Sequence, residues 1–201
     1  MILDATAGNR TMWQYKNSPD IIHMDMDREL QVKPDILADN TNTPFLDKTF
    51  TDIFYDPPHT WGGGISFFSF RNAKEREKVF PHVTGVPTYY GWDKYKTKDA
   101  LINHINKASK EFYRILKDDG ILWIKWNEMS MPLKTIKTIF HQWIILMELY
   151  INDPSHTAGQ AQTFWVCMCK EKGEYKQQTL LSLCPTNQST QLTLQTSQMN
   201  S

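Results

Sequence analysis

The sequence predicts an α/β domain built on a largely parallel sheet. Short apolar runs alternate along the chain with stretches in which apolar residues recur at helical spacing, and this alternation is typical of βαβ units. The chain has 201 residues, of which 40% are hydrophobic and 12% aromatic. A chain of this length and composition can bury the core of one ordinary domain.

Four strands are predicted in the first part of the chain, each an apolar run that ends in acidic or turn-forming residues. They are Met1 to Asp4, Ile21 to Met24, Pro34 to Leu37 and Phe50 to Tyr55. One helix is expected after the first strand. Another is expected after Asp27, whose carboxylate would cap it and favour its dipole.

An amphipathic helix is predicted from Asp99 to Lys117, because apolar residues recur there with a period of about 3.6. Asp118-Asp119-Gly120 is expected to end it. The elements that follow are a strand from Ile121 to Trp126, a helix from Leu133 to Trp143, and strands from Ile144 to Ile151 and from Thr163 to Cys169. The connection between the last two strands is too short for a parallel crossover with its own helix, so these strands are expected to pair antiparallel.

Two segments fall outside this alternation. Residues 60–97 form a long insert between the fourth strand and the helix, and inserts of this size at a strand's carboxyl end are commonly functional. From Gln177 onward the chain has no charged residue and is dominated by Gln, Ser, Thr and Asn, which predicts that residues 176–201 form a disordered tail. The expected domain therefore covers residues 1–175.

Composition excludes several classes of protein. With 22 Lys and Arg against 22 Asp and Glu, the chain has no net charge, so a polyanion could be bound only by a local basic patch. Its three cysteines show no spacing typical of a zinc site or a disulfide framework, and we expect no metal. No apolar run is long enough to cross a bilayer and no signal peptide is evident, which favours a cytoplasmic protein without a membrane partner.

Acidic and small residues follow the predicted parallel strands in a definite order. The first strand breaks into Asp4-Ala5-Thr6-Ala7-Gly8, whose small side chains would let the backbone approach a ligand. Asp25 ends the second strand, where a carboxylate can accept hydrogen bonds from a ribose. Asp39 and Asn40 follow the third strand, although by themselves they could form a simple turn.

The fourth strand ends in Asp56-Pro57-Pro58-His59. Two prolines fix the backbone so that a carboxylate and a main-chain carbonyl can both face one crevice, with a flat ring beside them. Such acceptors suit a planar substrate that carries an amino group. After the three preceding motifs, this element favours a catalytic site over a strand-ending turn.

In this order the motifs resemble those of class I S-adenosylmethionine-dependent methyltransferases, and in particular the amino-methyltransferases with an Asp-Pro-Pro-aromatic motif. Small phage and prophage methyltransferases similarly end the motif in His. The likeness covers about residues 1 to 170. It implies a Rossmann-like class I methyltransferase fold, with a seven-stranded, mostly parallel sheet whose last strand is antiparallel, and S-adenosyl-L-methionine as cofactor.

The resemblance also implies roles for individual residues. Contacts with the methionine part and the backbone of the cofactor site would come from Asp4, Ala5, Thr6, Ala7 and Gly8. Asp25 would bind the ribose, and Asp39, with Asn40 beside it, the adenine amino group. The reacting amine would meet Asp56, Pro57, Pro58 and His59. No helix precedes the first strand, so one edge of the pocket is expected to be open or completed by a partner subunit or a second copy.

The insert offers a surface for the substrate, because aromatic and basic residues alternate within it as they do where bases stack and phosphates are neutralised. The candidate substrate-binding residues are Trp61, Phe67, Arg71, Tyr89, Tyr90 and Trp92. The same residues could instead form a small satellite core with a solvated helix face.

The predicted activity is methyl transfer to an exocyclic amine, adenine N6 or cytosine N4, in DNA or RNA. Two alternatives remain: a methyltransferase that acts on a protein side-chain amide or a small molecule, and a non-catalytic partner subunit that retains the fold.

Overall fold

The structure is a computed structural model that describes residues 1–61, 94–128, 130–151 and 162–171. The predicted tail, the end of the predicted domain at residue 175 and residues 62–93 of the insert lie outside the described residues. Among the described residues, seven strands form one sheet. Their bounds are β1 Ile2–Asp4, β2 Ile21–Asp25, β3 Ile36–Leu37, β4 Phe50–Tyr55, β5 Leu116–Asn127, β6 Trp143–Ile151 and β7 Thr163–Lys170.

The strand order is β3-β2-β1-β4-β5-β7-β6. The first five strands of this order pair in parallel, and β7 lies antiparallel to both β5 and β6. The predicted antiparallel pairing of the last two strands is thus confirmed. Because β2 and β4 flank β1 on opposite sides, the chain leaves β1 in one direction and later returns to its other side, which creates a switch point at the carboxyl end of β1.

Helix α1, Lys98–Ile115, packs its apolar face into the core. Thr97 caps it, since its Oγ1 accepts a hydrogen bond from the backbone N–H of Ala100. The face that the periodicity predicts is fully buried in the structure, and it consists of Leu101, Ile105, Ala108, Phe112 and Ile115. Helix α1 therefore lies where the sequence predicts it, with a start one residue earlier and an end two residues earlier.

The prediction that Asp118-Asp119-Gly120 ends this helix is wrong. The chain enters β5 at Leu116, and these three residues lie within the strand as an irregularity in its pairing with β4. Phe50 pairs with Leu116, whereas Asp52 pairs with Ile121, so the longer β5 segment bulges between these two pairs. An added Cβ at Gly120 would lie 2.8 Å from the carbonyl oxygen of Thr51, which explains a glycine at this close approach.

Helix α2 is shorter than predicted. It covers Leu133–Ile139, and Trp143, which was predicted to be helical, starts β6 instead. Trp143 is nevertheless buried, and its indole N–H donates to the hydroxyl of Ser109 on α1 at 2.9 Å. This tertiary contact fixes the residue in a conformation that the local apolar pattern does not reveal.

The two helices predicted in the first part of the chain are absent from the structure. Residues 5–20 and 26–35 form turns. Arg10 links these two segments. Its guanidinium donates to the carbonyl oxygen of Lys16 in the first segment, and to the carbonyl oxygen of Lys33 and, at 2.8 Å, to Asp35 Oδ1 in the second. Asp27 caps a turn, not a helix, by accepting from the backbone N–H of Glu29.

Strand β6 forms one edge of the sheet and carries apolar side chains that remain exposed. In the described residues, no helix combines the length and the apolar character needed to cross a membrane.

Candidate functional site

A cleft lies at the carboxyl ends of β1, β2 and β4, beside the switch point of the sheet. Its cavity volume is about 910 Å³, within the range of small-molecule sites in proteins. In open α/β sheets, ligands bind at this position. The residues described as lining it are Ala5, Thr6, Ala7, Gly8, Thr11, Met12, Asp25, Met26, Asp27, Leu30, Asn40, Asp56, Pro58, Lys94, Tyr95, His104 and Lys125.

The turn after β1 forms the floor of the cleft. The backbone N–H groups of Ala5 and Ala7 donate to the carbonyl oxygens of Phe54 and Met24, which ties the turn to the strands on either side. Gly8 has a φ of +49°, a conformation that side chains with a Cβ rarely adopt, and its N–H donates to Asp25 Oδ2 at 2.9 Å. Because these N–H groups are engaged within the protein, the turn offers a ligand small side chains and room more than backbone donors.

Asp4 lies beneath this turn, where its carboxylate accepts a hydrogen bond from the Thr6 N–H, and it is not among the residues described as lining the cleft. The side chain is fully buried, and its Oδ2 accepts a hydrogen bond from the indole N–H of Trp13 at 2.7 Å. His23 Nδ1 lies 3.5 Å from the same oxygen. Burial raises the pKa of Asp4 above its ordinary value, although the hydrogen bonds from Trp13 and Thr6 and the neighbouring His23 oppose this shift.

Asp25 lines the cleft at the end of β2, as the sequence predicts for a ribose contact. Its two carboxylate oxygens accept hydrogen bonds from the backbone N–H groups of Gly8 and Asp27. These bonds fix the orientation of the side chain. Each oxygen retains a second lone pair for a ligand.

Asn40, and not Asp39, lines the cleft after β3. Asp39 turns to Thr41 and accepts hydrogen bonds from its N–H and its hydroxyl, both at 2.9 Å. Burial raises the pKa of Asp39, but these hydrogen bonds, with Lys94 and His104 nearby, outweigh burial and hold the pKa below its ordinary value. The Nδ2 group of Asn40 donates to the Ala5 carbonyl at 3.4 Å, and its buried Oδ1 has no hydrogen-bond partner in the part of the chain that the structure describes.

The Asp56 motif meets the cleft at the end of β4. The backbone N–H of Asp56 donates to Thr6 Oγ1 at 2.8 Å, and its Oδ2 forms an ion pair with Lys125 Nζ at 2.9 Å. Pro58 lines the cleft beside it, whereas Pro57 is buried.

His59 is buried and does not contribute to the cleft lining. Only 9% of its surface is exposed, and its ring packs edge-on against Trp126 with centroids 6.2 Å apart. Burial lowers the pKa of His59, Lys125 adds to this shift, and Asp56 and a backbone hydrogen bond with Pro57 oppose it. The His59 ring therefore packs in the interior next to the Asp56 motif and does not face the cleft.

Nine of the residues described as lining the cleft were not predicted as site residues, and four of these nine come from the chain after β4: Lys94, Tyr95, His104 and Lys125. Tyr95 is 5% exposed, its hydroxyl has no hydrogen-bond partner among the described residues, and its ring centroid lies 5.0 Å from that of His104. Burial and the nearby Lys94 lower the pKa of His104 to about 4, although Asp39 opposes this shift. Lys94 Nζ contacts Met26 Sδ across the cleft.

One signal in the sequence points to Lys125. It is the polar residue between Ile124 and Trp126 on a strand that pairs with the strand of the Asp56 motif. His104, by contrast, lies between buried positions on α1 and has no partner in the sequence that would mark it.

Of the predicted substrate-binding residues, only Trp61 is described. It is partly buried and packs against the hydrophobic core. Phe67, Arg71, Tyr89, Tyr90 and Trp92 lie outside the described residues. Within the described ranges, no group of three or more His, Cys, Asp or Glu side chains is arranged to hold a metal ion.

No family model matches the sequence, and no curated protein does. Solved structures do resemble it. PH0226 protein from Pyrococcus horikoshii OT3 aligns with a TM-score of 0.51 at 11% identity, over 85% of this chain and 81% of that one. A TehB-like SAM-dependent methyltransferase from Corynebacterium glutamicum aligns with a TM-score of 0.47 at 14% identity, over 85% and 79%. A SAM-dependent methyltransferase from Leishmania major aligns with a TM-score of 0.47 at 12% identity, over 83% and 63%.

At identities of 11–14%, the structural likeness is evidence about the fold alone. The predicted Rossmann-like α/β fold, with a seven-stranded, mostly parallel sheet and an antiparallel last strand, is confirmed by the strand order and by the alignment with the Pyrococcus horikoshii structure.

Proposed function

We propose that this protein is an S-adenosylmethionine-dependent methyltransferase that acts on an exocyclic amino nitrogen, adenine N6 or cytosine N4, in nucleic acid. The observation that carries the proposal is the hydrogen bond between the Asp56 N–H and Thr6 Oγ1. It joins the turn that would hold the cofactor to the motif that would hold the amine, at one cleft at the switch point of the sheet.

The residues of the cleft fit the chemistry of this cofactor. Asp25 carries two fixed acceptor oxygens, which suit the hydroxyls of a ribose. Asn40 Oδ1 and the Tyr95 hydroxyl are buried polar atoms that have no hydrogen-bond partner within the described ranges, whereas buried polar atoms in folded proteins usually have one. An amide oxygen can accept from a purine amino group, and a phenol can donate to a ring nitrogen. Among the residues after β3, the structure thus favours Asn40 over Asp39 for the base contact.

The acceptor end of the cleft suits a weak nucleophile. An amino group conjugated to a base has little lone-pair density on nitrogen, so the acceptor oxygen of Asp56 would hold an amine hydrogen and direct the nitrogen lone pair. Bound in the cleft, S-adenosylmethionine would supply an electrophilic sulfonium methyl group. The amine nitrogen held by Asp56 would form the new N–C bond as the S–C bond breaks, the electron pair of the S–C bond would stay on sulfur, and the nitrogen would then lose a proton to water. Orientation of this kind lowers barriers by roughly 7–11 kcal/mol at best.

The choice of nucleic acid rests on the sequence of the insert, where aromatic and basic residues alternate. A base in a duplex must leave the stack before it can enter a cleft of this kind. The substrate is therefore expected to be single-stranded, or to be flipped out of the duplex on binding.

Calorimetry with S-adenosylmethionine and transfer of a labelled methyl group to pools of DNA and RNA test the proposal. Wild-type protein is expected to bind the cofactor and to yield N6-methyladenine or N4-methylcytosine on nucleoside analysis. The variant Asp56→Ala is expected to lose about 100-fold or more in transfer rate, because the amine is no longer oriented.

The matched control is Asp118→Ala, which removes an exposed aspartate that is also paired with a lysine, Lys48, at 2.7 Å. This variant is expected to transfer methyl groups at the wild-type rate. Equal incorporation by wild type and Asp56→Ala would refute the role of Asp56. Label found only in protein or small molecules would identify the alternative substrates, and the absence of cofactor binding would identify a non-catalytic subunit.

A further inference from the structure

Lys125 lies beside the Asp56 motif because of the way β4 and β5 pair. These strands are parallel, with Tyr55 opposite Ile124, so the next residue of each strand, Asp56 and Lys125, comes at the same level at the carboxyl edge of the sheet. Both side chains line the cleft. The pairing register therefore brings an ammonium group to the proposed catalytic carboxylate.

The ion pair between these residues is close and partly withdrawn from water. Lys125 Nζ lies 2.9 Å from Asp56 Oδ2, and the two side chains are 33% and 19% exposed. In the ion pair between Lys48 and Asp118, by comparison, the side chains are 60% and 64% exposed. Screening by solvent is weaker for the pair in the cleft, so the contact should restrain the Asp56 side chain more than a surface ion pair would.

The contact is also specific to one carboxylate oxygen. Lys125 meets Oδ2, and among the described residues no hydrogen bond to Oδ1 is found. A carboxylate held at one oxygen presents the other in a defined direction. The motif backbone is fixed separately, by the hydrogen bond from the Asp56 N–H to Thr6.

We propose that Lys125 is a positioning residue for Asp56: it holds Oδ2 and leaves Oδ1 to accept the hydrogen bond from the target amine. This role rests on the proposed function. Lys125 itself need not touch the amine. Its loss should therefore reduce the rate of transfer more than the binding of the cofactor or the substrate.

The test compares the variants Lys125→Met and Lys125→Arg with the wild type in the full-length protein. Methionine keeps the length of the side chain without its charge, whereas arginine keeps a donor that can hold a carboxylate. The matched control is Lys137→Met, which breaks an ion pair with Glu148 of 2.7 Å on the protein surface. The measurements are kcat and KM for an oligonucleotide substrate, the Kd for S-adenosylmethionine, and a crystal structure of Lys125→Met.

We expect Lys125→Met to lower kcat by about 10- to 100-fold, since a misplaced reacting group has effects of this size. KM and the cofactor Kd should change by less than about threefold, because the interaction acts on orientation and not on uniform binding. Lys125→Arg should recover most of the rate, and Lys137→Met should match the wild type. In the crystal structure of Lys125→Met, the Asp56 carboxylate should leave its wild-type position.

The proposal is overturned if Lys125→Met turns over at the rate of Lys137→Met, or if arginine is as defective as methionine. It is also overturned if the Asp56 carboxylate stays in place without the lysine. Failure of the proposed function is a separate result: wild-type protein would then transfer no methyl group, and the crystal structure of Lys125→Met would still decide whether Lys125 positions Asp56.

Discussion

The backbone N–H of Asp56 donates a hydrogen bond of 2.8 Å to the hydroxyl of Thr6, 50 residues earlier in the chain. This bond links the turn after β1 to the end of β4, and both segments line the cleft at the switch point of the sheet. Thr6 is thus a structural link as well as a residue of the cleft lining.

The variant Thr6→Val is expected to lower both stability and activity. Valine has nearly the same shape but cannot accept from the Asp56 N–H, and the loss should cost about 1–2 kcal/mol in the free energy of unfolding. Urea unfolding and methyl-transfer assays measure the two effects. Thr6→Ser keeps the hydroxyl and should stay near the wild type; a Thr6→Val protein with wild-type stability would show that the bond contributes little.

The variant Tyr95→Phe is expected to weaken cofactor binding by up to about tenfold, because it lacks the buried hydroxyl that we propose donates a hydrogen bond to the cofactor. Stability of the ligand-free protein should not fall, since this hydroxyl has no partner in the described residues. Calorimetry and urea unfolding separate the two quantities.

Tyr55→Phe is the matched control for this experiment. The Tyr55 hydroxyl is also buried without a partner among the described residues, but Tyr55 is not one of the residues that line the cleft. Its removal should leave cofactor binding unchanged. Equal binding by both variants would place the Tyr95 hydroxyl outside the cofactor contact.

The variant Gly8→Ala is expected to destabilise the protein by about 1 kcal/mol, because an alanine at a φ of +49° is strained. No atom of the described residues lies within 4 Å of an added Cβ, so the cost should come from the backbone and not from a clash. Gly8→Asn should be less destabilising, since asparagine tolerates this conformation better than alanine. Urea unfolding measures the stability of both variants. If Gly8→Ala proved less destabilising than Gly8→Asn, backbone strain would not be the cause.

Stability should decline as the pH falls from about 6.5 to 4, in part because of His104. Its pKa is lowered to about 4 in the folded protein from an ordinary value of 6.5, so the unfolded chain binds a proton in this window that the folded chain does not. Protonation therefore favours unfolding there, with a slope of at most about 1.4 kcal/mol per pH unit, and this contribution is constant above pH 7.

The variant His104→Gln removes this titration. The difference in unfolding free energy between wild type and variant should shrink, or change sign, as the pH falls through the window, and urea unfolding at several pH values measures it. A difference that does not vary between pH 7 and pH 4 would be inconsistent with a buried neutral imidazole.

Most strands of the sheet could be predicted from the sequence because they are short apolar runs between breaking residues; β5 is an exception, since it also contains Asp118-Asp119-Gly120. Phe50–Tyr55 agrees with its predicted bounds at both ends. Local patterns failed where long-range contacts decide the conformation. Trp143 continues the apolar stripe of α2 but belongs to β6, where its indole meets Ser109. Arg10 uses its side chain to hold a connection of turns where a helix was expected.

The residues of the candidate site could likewise be predicted only in part from the sequence. Motifs that follow β1, β2 and β4 lie at the cleft because parallel strands end at one edge of a sheet, and this follows from strand order alone. Strand order does not tell, however, which residue after each strand faces the cleft. Asp39 and Asn40 are neighbours, and only the hydrogen bonds to Thr41 turn the aspartate away. Tyr95 and His104 reach the cleft from a different part of the chain.

The cleft lining extends from Ala5 to Lys125, and no single part of the chain supplies it. A ligand that fits this cleft recognises the finished sheet and has little affinity for a partly assembled chain. Occupancy would therefore stabilise the whole fold by mass action, by about 2.7 kcal/mol when the free ligand is at 100 times its Kd. Survival of the protein against proteases would then follow the supply of its ligand, and a shift in melting temperature becomes a direct assay for what the cleft binds.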